Sequence, residues 1–313
     1  MNRRQFMSFM SGLALGSLAL APRRPAAAKK KLAITMDDPR TDETPLLSAI
    51  ERNRAILETL SQANLKAALF VCGKRVDNAA GGALLQEWDR EGHVLANHTY
   101  SHPYLPAPEV DAQDFIEDIL RGEDVIADYS RFQRIFRFPF LKEGDTIEKR
   151  DGVRRFLAER DYRVGHVTID ASDWYVDYRM SERLDKDPGA DLSPYCEFYL
   201  QHLWERATFY DDLATKVFGR QIQHTLLIHH SLLNALFLED VLRMFEQRGW
   251  GWVDAADVFA FEDDVFSASP DILPAGESIV WALAKQTGRF DDVLRYPGED
   301  SRYEEAAMDR LGL

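Results

Sequence analysis

The chain has 313 residues, 45% hydrophobic, 11% aromatic and 29% charged, a globular composition that excludes collagen, coiled coil and wholesale disorder. Its 38 basic residues face 52 acidic ones, a formal charge of −14. A body that acidic is a poor match to DNA, RNA or an anionic membrane, because phosphate binding needs clustered cations. Two cysteines make neither a disulfide framework nor a thiolate metal site by themselves.

The chain opens Asn2-Arg3-Arg4-Gln5-Phe6-Met7. An apolar stretch over 8–21 follows, and Pro22-Arg23-Arg24-Pro25 then leads to Ala26-Ala27-Ala28. Basic start, short apolar core and small residues at the end are a signal-peptide layout. The apolar core is shorter than the roughly 20 residues of a spanning helix, and no Cys follows it to carry a lipid anchor. The paired arginines before Phe6 resemble the twin-arginine export signal of bacteria. That resemblance implies a periplasmic protein, passed folded through the twin-arginine machinery, with no stable membrane anchor after cleavage. Residues 1–28 are therefore set apart from the fold.

Short, mostly apolar runs at 32–35, 67–71, 94–96, 135–136, 163–168, 226–228 and 251–253 read as strands buried on both faces. Helical spacing fills 45–65, with Ile56, Leu57 and Leu60, and 110–126, with Phe115, Ile119 and Ile126. It also fills 238–248, which stops at Gly249. Strands alternating with helices argue for an α/β barrel or a doubly wound sheet. Residues 175–222 break the alternation as a long connection, helical around 199–217; a connection that long carries function or structure of its own. Residues 262–313 lie beyond the last strand as an extension interrupted by Pro270 and Pro274, with a helix at 277–285.

Polar residues cluster where strand candidates end, which is where α/β architectures collect chemistry. The first strand runs into Asp37-Asp38, adjacent carboxylates that are costly after a buried strand unless a cation or hydrogen bonds satisfy them. The third runs into His98 and His102, which share a side if the segment turns helically; His is the commonest metal ligand near neutral pH. Then come Phe136-Arg137-Phe138-Pro139-Phe140, Asp170-Ala171-Ser172-Asp173-Trp174, and Leu226-Leu227-Ile228-His229-His230.

The order DD, HxxxH, RxP, DxxDW and apolar-run-His resembles the polysaccharide deacetylase family, the NodB homology domain of carbohydrate esterase family four, from Lys31 to about Phe259. The resemblance implies an irregular (β/α)7-type barrel over 29–261, with 175–222 as a helical insertion and 262–313 as a C-terminal extension. It makes Asp37 the general base and assigns Asp38, His98 and His102 to one divalent metal. Three such ligands leave an open coordination position, as a catalytic metal needs; zinc stands first, and cobalt, nickel or iron also suit them. Arg137 would pair with the base, and Phe140 would offer a backbone N–H to the oxyanion. His229 would be the acid, held by Asp173. Trp174 and Leu227 would wall the acetyl group. The implied substrate is an N-acetylated glycan, and the products are acetate and a free amine.

The chain also departs from the pattern. The family's Phe-Asp-Asp-Gly-Pro is Met36-Asp37-Asp38-Pro39-Arg40, so the loop after the metal ligand lacks its glycine. The tyrosine of RxPY is Phe140, and the position after the last histidine is His230, which leaves His229 or His230 as the acid, with His229 preferred. Two other readings stand beside the deacetylase: hydrolysis of a non-sugar amide or imide on the same fold, and glycan binding without turnover. Cys72 reads as a buried thiol, and its pairing with Cys196 is open; His93, His166 and His224 read as structural.

Overall fold

The computed structural model describes residues 30–260, 263–295 and 301–313; the expected export segment lies outside them. In chain order the elements are β1 (Lys30–Asp37), α1 (Ala49–Gln62), β2 (Ala68–Val71), the short α2 (Gly73–Val76), α3 (Ala79–Glu91), β3 (Val94–Asn97), α4 (Ala112–Ile126) and β4 (Phe132–Phe136). After a 3₁₀ turn at Pro139–Leu141 come β5 (Lys142–Gly144), α5 (Ile147–Glu159), β6 (Arg163–Val164), α6 (Asp173–Lys186), α7 (Ser193–Phe218), β7 (Gln223–His229), α8 (Leu232–Gln247), β8 (Trp250–Trp252) and α9 (Ala255–Ala260). The extension adds β9 (Ala275–Gly276), α10 (Ile279–Thr287) and α11 (Arg302–Leu311).

A parallel sheet runs β6-β4-β3-β2-β1-β7, with β8 on the first residues of β1. Ile169 forms a parallel bridge to Leu226. The chain leaving β6, at one end of the order, thus meets β7 at the other, and the sheet curls into a half-barrel with that bridge across the gap. The expected α/β barrel class is the one observed. Strand residues of alternate parity separate two cores. Ala33, Ala68, Phe70, Ala96 and Ile135 share one face with Val258 and Phe259 of α9. Leu32, Ile34, Leu69 and Leu95 pack on the other, among side chains from α1, α3, α7 and α8.

One strand expectation is changed. The strand expected at 163–168 is only Arg163–Val164. At Gly165 the chain passes so close to Phe70 that a Cβ would lie 2.5 Å from its ring, and the bend redirects the chain toward β7. The extension is built into the body: β9 pairs antiparallel with β5, Ile279 donates its N–H to the Val167 carbonyl, and Ile279, Val280, Ala284 and Met308 belong to the main core. Both cysteines are free thiols, Cys72 buried. No helix among the described residues is long and apolar enough to cross a membrane.

Candidate active site

The sheet delivers its polar residues to one end. Asp37 is the last residue of β1, in register with His229, the last of β7. His98 follows β3, and Arg137 follows β4. Together with the Phe138–Leu141 turn and the start of α6 they surround a cavity of about 730 Å³, lined among others by Asp37, Asp38, His98, His102, Phe140, Trp174 and His229.

Asp37 and Asp38 diverge because Asp38 leaves the strand in the left-handed region, at φ 60°. Asp37 turns inward to Arg137, whose Nη1 donates to its Oδ1 at 2.5 Å. That guanidinium is itself held: Nε donates to the Gly165 carbonyl at 3.0 Å, and it lies 3.7 Å over the Phe70 ring. Burial raises Asp37 to about 6, against the opposing pull of Arg137 and His229.

Asp38 faces the histidines, its Oδ2 3.6 Å from His102 Nε2. Asp38, His98 and His102 place one ligand atom each within 4.8 Å of one another, and they are the one such set of three among the described residues. The 3.6 Å between Asp38 Oδ2 and His102 Nε2 is near the roughly 3.4 Å that separates neighbouring ligands of a tetrahedral ion at bonds of about 2.1 Å. The chemistry agrees. His98 Nδ1 meets the Arg137 carbonyl at 2.8 Å; a carbonyl only accepts, so Nδ1 carries the proton and Nε2 keeps its lone pair. Desolvation lowers His98 and His102 to about 4 each, so both are neutral donors at neutral pH. Asp38 Oδ1 is buried with no hydrogen-bond partner. Burial alone would raise Asp38, but His102, His98 and Arg75 outweigh it and lower its carboxyl.

The histidines do not meet through a helical turn. Asn97 Oδ1 accepts the Thr99 N–H, and Thr99 Oγ1 accepts the His102 N–H, which folds the segment through two left-handed residues, Thr99 and His102. The rings end 4.9 Å apart, centre to centre.

Opposite this cluster, His229 Nδ1 lies 2.7 Å from Asp173 Oδ1, and its N–H donates to Oδ2. Asp173 is fully buried, and Asn234 Nδ2 also donates to it at 2.8 Å. His230 turns away, with Nε2 against Asn53 Oδ1, and burial pushes its imidazole down to about 3. Of the two candidates for the acid, His229 has the carboxylate partner.

The other expected residues fall around this frame. Phe140 lines the cavity at φ 55°, its ring 4.5 Å from His102 and 5.5 Å from Tyr104. Trp174 lines it from α6. Leu227 is buried under Leu141 and Val167 and sits behind the wall. Arg40, Arg75 and Asp177 also line the cavity and were not singled out from the sequence. Arg75 Nη2 is 3.3 Å from Asp38 Oδ2; its one legible sign is its place just after β2. The Pro39-Arg40 loop, which lacks the expected glycine, is held by Arg52 of α1: Nη1 and Nη2 donate to the carbonyls of Asp42 and Arg40.

Residues 24–155 match the family model for polysaccharide deacetylase, which takes in Asp37, Asp38, His98, His102 and Arg137. The match supports the polysaccharide deacetylase family. A peptidoglycan-N-acetylglucosamine deacetylase of Bacillus cereus is 27% identical over 148 residues, 47% of each chain. The aligned part thus spans about half the length of that curated relative. Among solved structures, a polysaccharide deacetylase from Bacillus cereus superposes with a TM-score of 0.53 at 16% identity, covering 78% of this chain and 97% of that one. A variant of a CE4 family pseudoenzyme from Bacillus anthracis gives 0.51 at 16% identity, covering 74% and 67%. The same fold therefore occurs in a protein described as a pseudoenzyme, and turnover has to be argued from the site.

Proposed function

We propose that the chain is a metal-dependent N-deacetylase of amino sugars in a glycan, working outside the cytoplasm. The observation that carries this reading is one cavity floor holding three parts: an arginine-clamped carboxylate, an Asp/His/His ligand set and a carboxylate-held histidine.

Asp38, His98 and His102 would hold a divalent ion, zinc first among the candidates, which would supply Lewis acidity and a lowered water pKa there. Asp37 takes the proton of the attacking water, and Arg137 aims its carboxylate. His229, held as the doubly protonated imidazolium by the Asp173 carboxylate at Nδ1, gives its Nε2 proton to the departing sugar nitrogen and is left neutral. Phe140 and Trp174 bracket the acetyl end. Water adds across the C–N bond, and acetate and a free amine leave. The names of the relatives, peptidoglycan-N-acetylglucosamine deacetylase and chitin deacetylase, favour a polymer of N-acetylated sugars over a non-sugar amide. Catalysis is assigned to residues 29–261, with 175–222 as the insertion, and export to residues 1–28. N-terminal sequencing of the protein recovered from a periplasmic fraction tests that export; a full-length cytoplasmic product refutes it.

Metal analysis of the purified chain, run beside acetate release from N-acetylglucosamine oligomers, tests the whole reading. One metal per chain with acetate release is expected. Stoichiometric metal without acetate from sugar oligomers, but with hydrolysis of small amides or imides, replaces the substrate class. No turnover of either, with oligomers still bound, replaces the enzyme by a glycan-binding protein.

A further inference from the structure

Helix α7 turns a row of buried polar side chains toward the loop that carries Asp173. Tyr199, His202 and Arg206 are spaced three and four apart, along one face. Tyr199 donates to Asn234 Oδ1 at 2.6 Å, and Asn234 in turn holds Asp173. His202 reaches the same loop one residue earlier: its Nε2 accepts the backbone N–H of Ser172 at 3.0 Å. A backbone N–H only donates, so Nε2 carries no proton and the neutral ring keeps its hydrogen on Nδ1. That nitrogen lies 3.4 Å from Glu304 Oε1, which also takes Arg206 Nη2 at 2.5 Å. Glu304 belongs to α11, in the C-terminal extension, and Arg179 of α6 pairs with Asp309 of the same helix. His202, Arg206 and Glu304 are 6%, 3% and 3% exposed.

Ser172 needs such a partner. Its backbone, at φ −95° and ψ 45°, is neither helical nor extended, and its side chain makes no capping bond to α6. Burying an imidazole beside the Arg206–Glu304 ion pair is costly compared with filling the same space with an apolar side chain. The arrangement makes sense when the position of the Ser172 amide matters, and the next residue is Asp173.

We propose that His202, with Glu304 behind it, is a positioning residue for the Asp173–His229 pair, and that the C-terminal extension reaches the chemistry through it. This rests on the reading of His229 as the acid. His202 touches no substrate; it fixes Ser172 and thereby the approach of Asp173 to His229.

Nitrogen-15 NMR of the imidazoles in the wild-type chain tests the frame without any variant. His202 is expected with hydrogen on Nδ1, and hydrogen on Nε2 overturns the proposal. His202→Leu is expected to raise amide exchange at Ser172 at least tenfold and to lower kcat about tenfold, the lower end for a lost outer partner, with KM and metal content unchanged. His202→Gln, whose Oε1 accepts the same N–H, is expected to recover both. Wild-type exchange and turnover in His202→Leu overturn the proposal, as do equal losses in the Leu and Gln variants that follow melting temperature alone. Should the wild-type chain release no acetate, the deacetylase reading falls, while tautomer and exchange still decide whether His202 holds the loop.

Discussion

Asp37 and Asp38 are adjacent in sequence and face different partners, Arg137 and His102, because one left-handed residue separates a strand side chain from a loop side chain. The two halves of the site are therefore separable by mutation. His102→Ala is expected to lose metal and turnover together, whereas His229→Ala keeps a full metal complement and loses about 10²-fold or more in kcat, the range of a positioned acid. Metal content measured on both variants beside kcat decides; full metal in His102→Ala breaks the ligand assignment. A less obvious dependence sits at Gly122 of α4. A Cβ there would lie 2.7 Å from the Thr99 carbonyl carbon and 2.8 Å from Asn97 Oδ1, the groups that shape the turn between His98 and His102. Backbone cannot yield as a flexible side chain does, so Gly122→Ala displaces the histidine turn. Metal affinity should fall about 10–100-fold, as when a ligand loses its outer support, and a chelator competition titration reads it. Unchanged affinity would mean the turn absorbs the methyl group.

At the scale of elements, the strands that carry chemistry were legible because each is a short apolar run that stops at a polar residue. β5 and β9 were not: Lys142-Glu143-Gly144 and Ala275-Gly276 have no pattern, and they pair only because the extension returns to the site. Asp37, Asp38, His98, His102 and His229 were legible for the same reason as the strands, and Asp173, at the start of α6, through the order of motifs. Arg40, Arg75 and Asp177 were not, since a charged residue in a loop or on a helix looks solvated until the fold turns it inward. Arg52 is the extreme case, a fully buried arginine in a helix whose other face is charged. Its two bonds stand where a glycine turn was expected. Arg52→Met should loosen residues 39–43 and raise KM about tenfold, the worth of one charge-assisted hydrogen bond, with metal content unchanged. Binding isotherms for an oligomer that match the wild type would remove the loop from recognition. The join between β2 and β3 makes a pH prediction. His93 Nδ1 accepts the Ala67 N–H, and burial, with Lys66 nearby, pushes its imidazole from 6.5 down to about 3. Between those values the unfolded chain binds the proton and the folded chain does not, so this contribution to stability is complete above about pH 6.5 and is lost as pH falls toward 3. The wild-type advantage in melting temperature over His93→Gln should therefore narrow from pH 7 to pH 4. Parallel curves would show that His93 is not the linked group.

For the molecule as a whole, the question is whether the extension is an appendage or part of the folding unit. Its place in sequence, beyond the last strand of the sheet, suggests the former, and its contacts argue the latter. Ile279, Val280 and Met308 are fully buried in the main core, and burying such a side chain contributes about 1.5–3 kcal/mol. The polar ties add to this, since Ser278 Oγ donates to the Thr168 carbonyl, Glu277 N–H to the Leu141 carbonyl and Lys142 pairs with Glu277. One of these bonds ends on Leu141, on the cavity wall, and another on Thr168, in the segment leading to Asp170. A chain cut after Ala260 would expose the β5 edge and the α7 face that α10 covers, and unpaired edges and bare apolar faces aggregate. The truncated chain is therefore expected to be insoluble, or to lose its cooperative thermal transition. A truncated chain that melts cooperatively within a few degrees of the full one would show that the barrel is self-sufficient, and that the extension stabilises only itself.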